Sequence, residues 1–429
     1  MTNRRDFLRL AGSATALAAS GLPAWAQSPT TLRFAWWGND ARHALHNKLL
    51  DLYQSENPHV TIEREFSGFD PYFQRLSTQA AGGNAPDLIS MHLTQVAGYA
   101  DQGVLLPLDE YIANGTIDLG NFSQSSIDTG RRNGKVFMIT QGLSPRAVLI
   151  NPSIFERAAV EPPQWGWTLE DFVEKVIAIR KNSPDGVYGT LDQGDQEIGL
   201  DSYMGQIGKS TFAGAEGKTM GFTPEDLLTY WGYWGRMRDA GALPEPGANT
   251  ELIVQAGIHA DSPYSKSRVG VLYSNPNQLK LYQRHSQDEL HLIEVPRSNA
   301  PGAKPYYYVG GAFLSIHSRS PNLDAAAKLL NWWINDPEAG VIFNGEQGRP
   351  GSKAIQDLIR PDLDPADQRM YEYYNRVEAD VVADPPAPPQ ASELRAALTA
   401  NYQEWQFGRA TLEQAVETFF SDAEFIFGG

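Results

Sequence analysis

The order in which hydrophobic periodicity changes between residues 31 and 91 constrains this chain most. Thr31-Leu-Arg-Phe-Ala-Trp36 alternates at period two, which suits a strand whose successive side chains face opposite ways. Residues 41–56 then place Leu45, Leu49, Leu52 and Tyr53 at helical spacing. Val60-Thr-Ile-Glu-Arg-Glu-Phe66 returns to a strand, and residues 71–81 read as a helix that stops at Gly82-Gly83. Asp87-Leu-Ile-Ser-Met91 is a short buried strand. A β-α-β-α-β order needs crossover helices, so it predicts an α/β fold with a parallel sheet covered on both faces.

Later helices are marked by their caps. Thr168-Leu-Glu-Asp171 opens a helix over 169–181, and Thr223-Pro-Glu-Asp226 opens one over 224–240. Thr411-Leu-Glu-Gln414 opens another over 412–423. Ser320-Pro321 precedes a helix through Leu323, Ala327, Leu330 and Trp333, which ends before Pro337. Asp384-Pro-Pro-Ala-Pro-Pro389 suits an extended surface connection into a terminal helical pair.

The first residues read as an export signal. Arg4, Arg5 and Arg9 form a basic head with a twin arginine, and a weakly apolar stretch runs from Leu10 to Leu22. Ala24-Trp25-Ala26 supplies the small residues a signal peptidase needs. That stretch is shorter than the roughly 20 residues of a membrane span. Residues 1–26 are therefore expected to be removed near Ala26, leaving a periplasmic protein exported by the twin-arginine route. The segment carries three Arg and one Asp, so its loss takes the formal charge from −16 to −18. A surface so acidic excludes nucleic acid and anionic membranes as partners. The remaining length is too great for one core and implies two domains. The chain has no cysteine, which rules out disulfides, thiolate metal sites and cysteine nucleophiles. With 10 Trp, 18 Tyr and 18 Phe, it has more large rings than a core of this size needs.

Local chemistry is sparse. His43 and His46 stand at i, i+3 without a recognisable third ligand. Asp192-Gln-Gly-Asp-Gln-Glu197 resembles part of a calcium loop but lacks the closing bidentate Glu. Tyr306-Tyr307-Tyr308 offers hard ligands for ferric ion, although neighbouring rings on a strand point to opposite faces. No nucleophile elbow, phosphate loop or dinucleotide fingerprint is present. Glycosidase carboxylates leave no local signature. No metal or other cofactor is expected, and no catalytic residue is assigned.

Several longer stretches resemble one family. "GGNAPDLISMHLTQVAGYADQGVLLPLDEYI" (82–112) is similar to the most recognisable segment of family 1 extracellular solute-binding proteins, the maltose-binding-like receptors of ABC sugar importers. "GKVFMITQGLSPRAVLINPSIFERAAVEPPQWGWTLEDF" (134–172) resembles their first interdomain crossing, and "KPYYYVGGAFLSIHSRSPNLDAAAKLLNWWINDPEAG" (304–340) the return crossing. "GRATLEQAVETFF" (408–420) resembles the closing helix. The resemblance implies a two-lobe periplasmic-binding-protein fold of type II, with the ligand cleft between lobes. It implies lobes of 27–140 with 311–360, and 141–310 with 361–429. It implies a monomer that closes on a carbohydrate by hinge motion and hands it, unchanged, to membrane permease subunits. The rivals are a periplasmic glycoside hydrolase and a ferric-ion-binding protein using the Tyr306–Tyr308 run. Two departures stand out. Val271, Tyr273, Ser274 and Asn275 occupy a region that usually carries a Trp, and Met91 stands where maltose-type receptors often have an aromatic. A ligand other than a maltodextrin is expected.

Cleft residues are expected where strands end. These are Trp37, Asn39 and Asp40 after the first strand, Phe69 and Asp70 after the second, and His92 and Thr94 after the third. Ser144 and Arg146 lie at the first crossing. Asp192, Gln193 and Asp195 follow a strand of the second lobe, and Tyr273 and Asn275 stand in place of the usual aromatic segment. Gly310 and Gly311 are hinge candidates, and Arg349 and Arg395 match cleft positions of the family. Trp231, Trp234, Trp332, Trp333 and Trp405 suit core packing. The three arginines Arg146, Arg349 and Arg395 suit a carboxylate or sulfonate, which would make the ligand an acidic sugar. The alternative is that each is paired with a protein carboxylate.

Overall fold

The computed structural model describes residues 28–213, 218–383, 388 and 390–428; the export segment 1–26 lies outside them, as does most of 384–389. Strands β1 (Thr30–Trp37), β2 (Val60–Ser67) and β3 (Leu88–His92) run parallel, with β1 in the centre. The alternation along β1 divides its side chains between two cores. Leu32, Phe34 and Trp36 are fully buried against Leu49, Leu330 and Trp333, while Ala35 and Trp37 face Tyr72, Leu76 and Phe313. Each fully buried Leu or Phe of this kind contributes about 1.5–3 kcal/mol. The helices joining these strands are Asp40–Glu56, capped by the Asn39 side chain on the Arg42 N–H, and Phe69–Ala81, which ends at Gly82.

A short hairpin follows, β4 (Arg131–Arg132) and β5 (Lys135–Val136), turning through Asn133 and Gly134 at φ 49° and 78°. Both angles suit the two-residue turn that this dipeptide favours. Strand β6 (Ile139–Pro145) leads out of the first sheet, and after Arg146 alone the chain begins β7 (Ala147–Ile150) in a second. With β8 (Tyr188–Thr190), β9 (Val269–Ser274) and β10 (His291–Ile293), β7 forms a sheet ordered β10-β7-β9-β8. Its largest core gathers Phe172, Tyr230, Trp231, Trp234 and Phe419. The helices Leu169–Asn182 and Pro224–Asp239 both open with complete capping boxes, at Thr168 and Thr223. The ten-residue β11 (Tyr307–Ile316) carries the chain back, antiparallel to β3 and β6. The last strand, β12 (Val381–Ala383), lies parallel to the start of β11 before the chain enters the helices Ala391–Gln406 and Leu412–Gly428.

Two lobes thus face each other along the ends of their strands, joined through β6–β7 and through the chain that returns on β11. Several helices were not foreseen, among them Leu93–Asp101, Glu197–Gln206, Pro246–Ala256 and Pro365–Val377. The second is buried over its whole length from Gly199 to Gln206, so it has no polar stripe to betray it. Among the described residues no helix is long and apolar enough to cross a membrane.

Candidate functional site

The parallel strands β1, β2 and β3 end at one edge of their sheet, in register as Trp37 beside Ser67. His92, at the end of β3, pairs with Ala312 of β11. Rings collect at this edge. Phe69 meets Trp37 at 5.5 Å, Phe73 at 4.9 Å and His92 at 5.5 Å between centroids, each at a steep angle. Trp37 is nearly covered, at 9% exposure, whereas Phe69 keeps 39%. Burial pushes the His92 imidazole down to about 4, the Arg146 guanidinium adding to this and the Glu197 carboxylate opposing it, so the ring is neutral at pH 7.

The facing wall is built on the second sheet's edge, where the start of β7 pairs with the end of β9 as Ala147 beside Ser274. Glu197 opens the buried helix just past the loop that follows β8. Its carboxylate lies 3.3 Å from Arg146 and 3.4 Å from Arg395. One turn along the helix, Asp201 lies 3.8 Å from Arg146 and 3.0 Å from Arg395, and Thr211 donates its hydroxyl to it. Two guanidiniums and two carboxylates therefore interlock. Burial alone would raise the Glu197 carboxyl, but Arg395 and Arg146 outweigh it and hold it below its ordinary range. The backbone carbonyl of Arg146 accepts the Tyr373 hydroxyl, which fixes the crossing residue to the helix Pro365–Val377.

Between these walls lies a cavity of about 860 Å³. Phe69, Phe73, Gln74 and Ser77 line it from the helix after β2, and His92, Gln95, Tyr99 and Gln102 from the segment after β3. Glu197, Ser392 and Arg395 close it from the other lobe. Such a lining can stack a ring face and bond a rim of hydroxyls. Of the residues expected from sequence, Phe69, His92 and Arg395 meet here, with Trp37 supporting them from behind and Arg146 through Glu197. Sequence reasoning missed Glu197 as an organiser of the wall, together with Gln74, Ser77, Gln95, Tyr99, Gln102 and Ser392. The signal for Glu197 was its place, an acid opening a helix just beyond a strand-end loop. The glutamines look like ordinary solvent-facing helix residues.

Other expected residues do different work. The Asp192 carboxylate is 1% exposed and already accepts from Arg238 at 2.7 Å, from Gln406 at 2.9 Å and from the Tyr402 hydroxyl. It organises the core of its lobe. Gln193 uses its amide to pair with both backbone groups of Tyr273, at 3.2 and 3.3 Å, extending the β9 edge. The Tyr273 ring turns into the core against Phe172 and Trp234, while Asn275 starts the 3₁₀ turn Pro276–Gln278. Asp195, half-buried, has its carboxyl raised mainly by burial and accepts from Gln196 at 3.1 Å. Asn39 caps its helix and Asp40 sits exposed in the first turn. Ser144 is buried on β6, in register with Gly310. A Cβ on Gly311 would run into the Gly142 carbonyl, so that crossing needs glycine. Arg349 is held by Glu378 at 3.0 Å and Asn375 at 3.1 Å. The side chains of Asp70, Thr94 and Tyr308 lie outside the described ones.

All three arginines singled out from sequence are thus paired with protein carboxylates, which is the second of the two alternatives for them. Of the tyrosine run, Tyr306 and Tyr307 do not converge. Tyr307 donates to Glu294 at 2.7 Å, and burial with that bond pushes its hydroxyl far above the ordinary range, against a tyrosinate ligand. Tyr306 packs instead against Gly205. His46 stacks on Trp36 at 5.1 Å inside the core, while His43 accepts the Trp36 indole N–H at its Nδ1. Among the described residues no group of three or more His, Asp or Glu is arranged to hold a metal.

Comparison with known proteins gives a consistent result. The family model described as bacterial extracellular solute-binding protein matches residues 38–340. A Brucella abortus (strain 2308) protein, whose name assigns it a binding role provisionally, is 22% identical over 282 residues, 65% of this chain and 66% of that relative. The chain thus spans just under two thirds of that relative's length. A family 1 extracellular solute-binding protein from Alicyclobacillus acidocaldarius superposes with TM-score 0.75 at 24% identity, over 94% of this chain and 100% of the other. A periplasmic oligogalacturonide-binding protein from Yersinia enterocolitica, solved with saturated digalacturonic acid, superposes with TM-score 0.77 at 20% identity, over 93% and 99%. These similarities establish the two-lobe fold of the maltose-binding type.

Proposed function

We propose that this chain, which belongs to the family of bacterial extracellular solute-binding proteins, captures a sugar, oligosaccharide or sugar derivative in the cleft between its lobes and delivers it to the permease of an ABC importer. One observation carries the reading. The cavity between the lobes joins the partly exposed Phe69 ring to amide and hydroxyl side chains and to the Glu197–Arg395 pair. A sugar needs that mixture, an apolar surface for its C–H face and a bonding partner for each hydroxyl, since a buried unpaired hydroxyl costs about 1–3 kcal/mol. The lobes we propose are residues 27–140 with 311–360, and 141–310 with 361–429 apart from β12, which returns to the first sheet, closing by rotation about the crossings near Arg146 and Gly311. Export through the signal at 1–26, a periplasmic location and a monomeric state complete the proposal.

The test is isothermal calorimetry of the purified mature chain against a panel of mono-, di- and trisaccharides, with chromatography of each mixture afterwards. Saturable binding with the sugar recovered intact is expected. Hydrolysed product would transfer the protein to the glycoside hydrolases. A chain that binds no sugar but takes up stoichiometric iron would make it a ferric-ion carrier.

A further inference from the structure

We infer that the cleft selects an uncharged carbohydrate and rejects uronic acids and other anionic sugars, with Glu197 as the residue that sets this preference. The inference rests on the carbohydrate reading above and specifies the ligand's charge. Among the described residues lining the cavity, the charged ones are Glu197 and Arg395, and they face each other at 3.4 Å. The other polar groups there are neutral: three glutamine amides, two serine hydroxyls, Tyr99 and the neutral ring of His92.

An anion entering such a cavity finds no cation awaiting it. Arg395 already holds Glu197 at 3.4 Å and Asp201 at 3.0 Å, so an anion that bonds it settles beside two carboxylates, and the Asp201 side chain is only 7% exposed. Both carboxylates then stand beside the incoming negative charge, Asp201 nearly shut off from water and Glu197 42% exposed at the cavity wall, and their repulsion removes more affinity than the new contact supplies. Arg146 is engaged with the same two carboxylates, so it does not relieve the conflict. A neutral sugar escapes the penalty. Its hydroxyls can donate to the Glu197 carboxylate, whose oxygens each keep a further lone pair, and accept from the amides without breaking any ion pair.

The experiment compares galactobiose with digalacturonic acid, and the glucose and mannose disaccharides with their uronate counterparts, by calorimetry on the full mature chain. The neutral member of at least one pair is expected to bind about tenfold or more tightly than its acid. In Glu197→Gln one carboxylate is lost and an arginine becomes available, so the preference should shrink by about tenfold or reverse. A uronate that binds the native chain as tightly as its neutral partner overturns the inference, and this arm holds whether or not the variant folds. An unchanged preference in a folded Glu197→Gln variant also overturns it. If no sugar binds, neither these disaccharides nor any member of the mono-, di- and trisaccharide panel, the carbohydrate reading itself fails and this inference falls with it.

Discussion

Phe69→Ala separates ligand contact from stability more cleanly than any other single change. Phe69 is 39% exposed on the cavity wall, so about two fifths of its apolar surface remains for a ligand to cover. Full burial of a phenylalanine is worth about 1.5–3 kcal/mol, which leaves about 1 kcal/mol for that share. Ring stacking adds about 0.5–1.5 kcal/mol beyond area. The ring is already held by Trp37, Phe73 and His92, so little side-chain freedom is lost on binding. The expected loss is therefore about 2 kcal/mol, or about thirtyfold in Kd. Phe66 supplies the control. It is equally exposed, at 40%, but packs on Trp36 and His43 and does not line the cavity. Calorimetry with the best sugar from the panel, alongside urea melts, should find both variants modestly destabilised and only Phe69→Ala weakened in binding. A Kd for Phe69→Ala within threefold of native, or an equal loss in Phe66→Ala, would refute the assignment of this wall to the ligand.

Three further outcomes are expected. His46 is wholly buried with its folded pKa lowered from 6.5 to about 3, so the unfolded state takes up the proton first. The stability this histidine permits is complete above pH 6.5 and is lost as pH falls towards 3, by about 2 kcal/mol at pH 5. Urea melts at pH 7.5 and 5 should show His46→Leu losing that much less than the native chain on acidification; parallel losses would remove His46 as the cause. Asp192→Ala strands the Arg238 charge among Trp405 and Tyr402 and should cost about 3–5 kcal/mol in the same assay. Gly205→Ala improves helix propensity by about 1 kcal/mol, yet its new methyl meets the Tyr306 ring, so a net destabilisation of about 1–3 kcal/mol is expected; a rise in melting temperature would contradict the packing.

The first three strands, the helices between them and the capped helices could be read locally because their signals are local. The capping boxes at Thr168 and Thr223 form as their spacing implies, and Thr411 and Gln414 exchange the same pair of bonds. Strands β1, β2 and β3 fall within a residue or two of where alternation puts them. The helix expected over 412–423 runs on to Gly428, since nothing in that stretch stops it.

The cleft is less legible, and the arginines show why. In sequence, Arg146 and Arg395 are two isolated cations in an acidic chain, and an acidic ligand is a natural counter-charge to imagine. Their actual partners are Glu197 and Asp201, 51 and 194 residues away along the hydrogen-bonded pairs Arg146–Glu197 and Arg395–Asp201. Both carboxylates sit on a helix so thoroughly buried that no periodicity reveals it. The same holds for Asp192, which looked like the opening of a metal loop. Its partners Tyr402 and Gln406 arrive from the last helical pair, more than 200 residues on. A charged residue's availability to a ligand is a property of which other charges the fold brings to it. Strand ends therefore indicate where a cleft must lie, and only the packed charges decide which groups in it are still open to a guest.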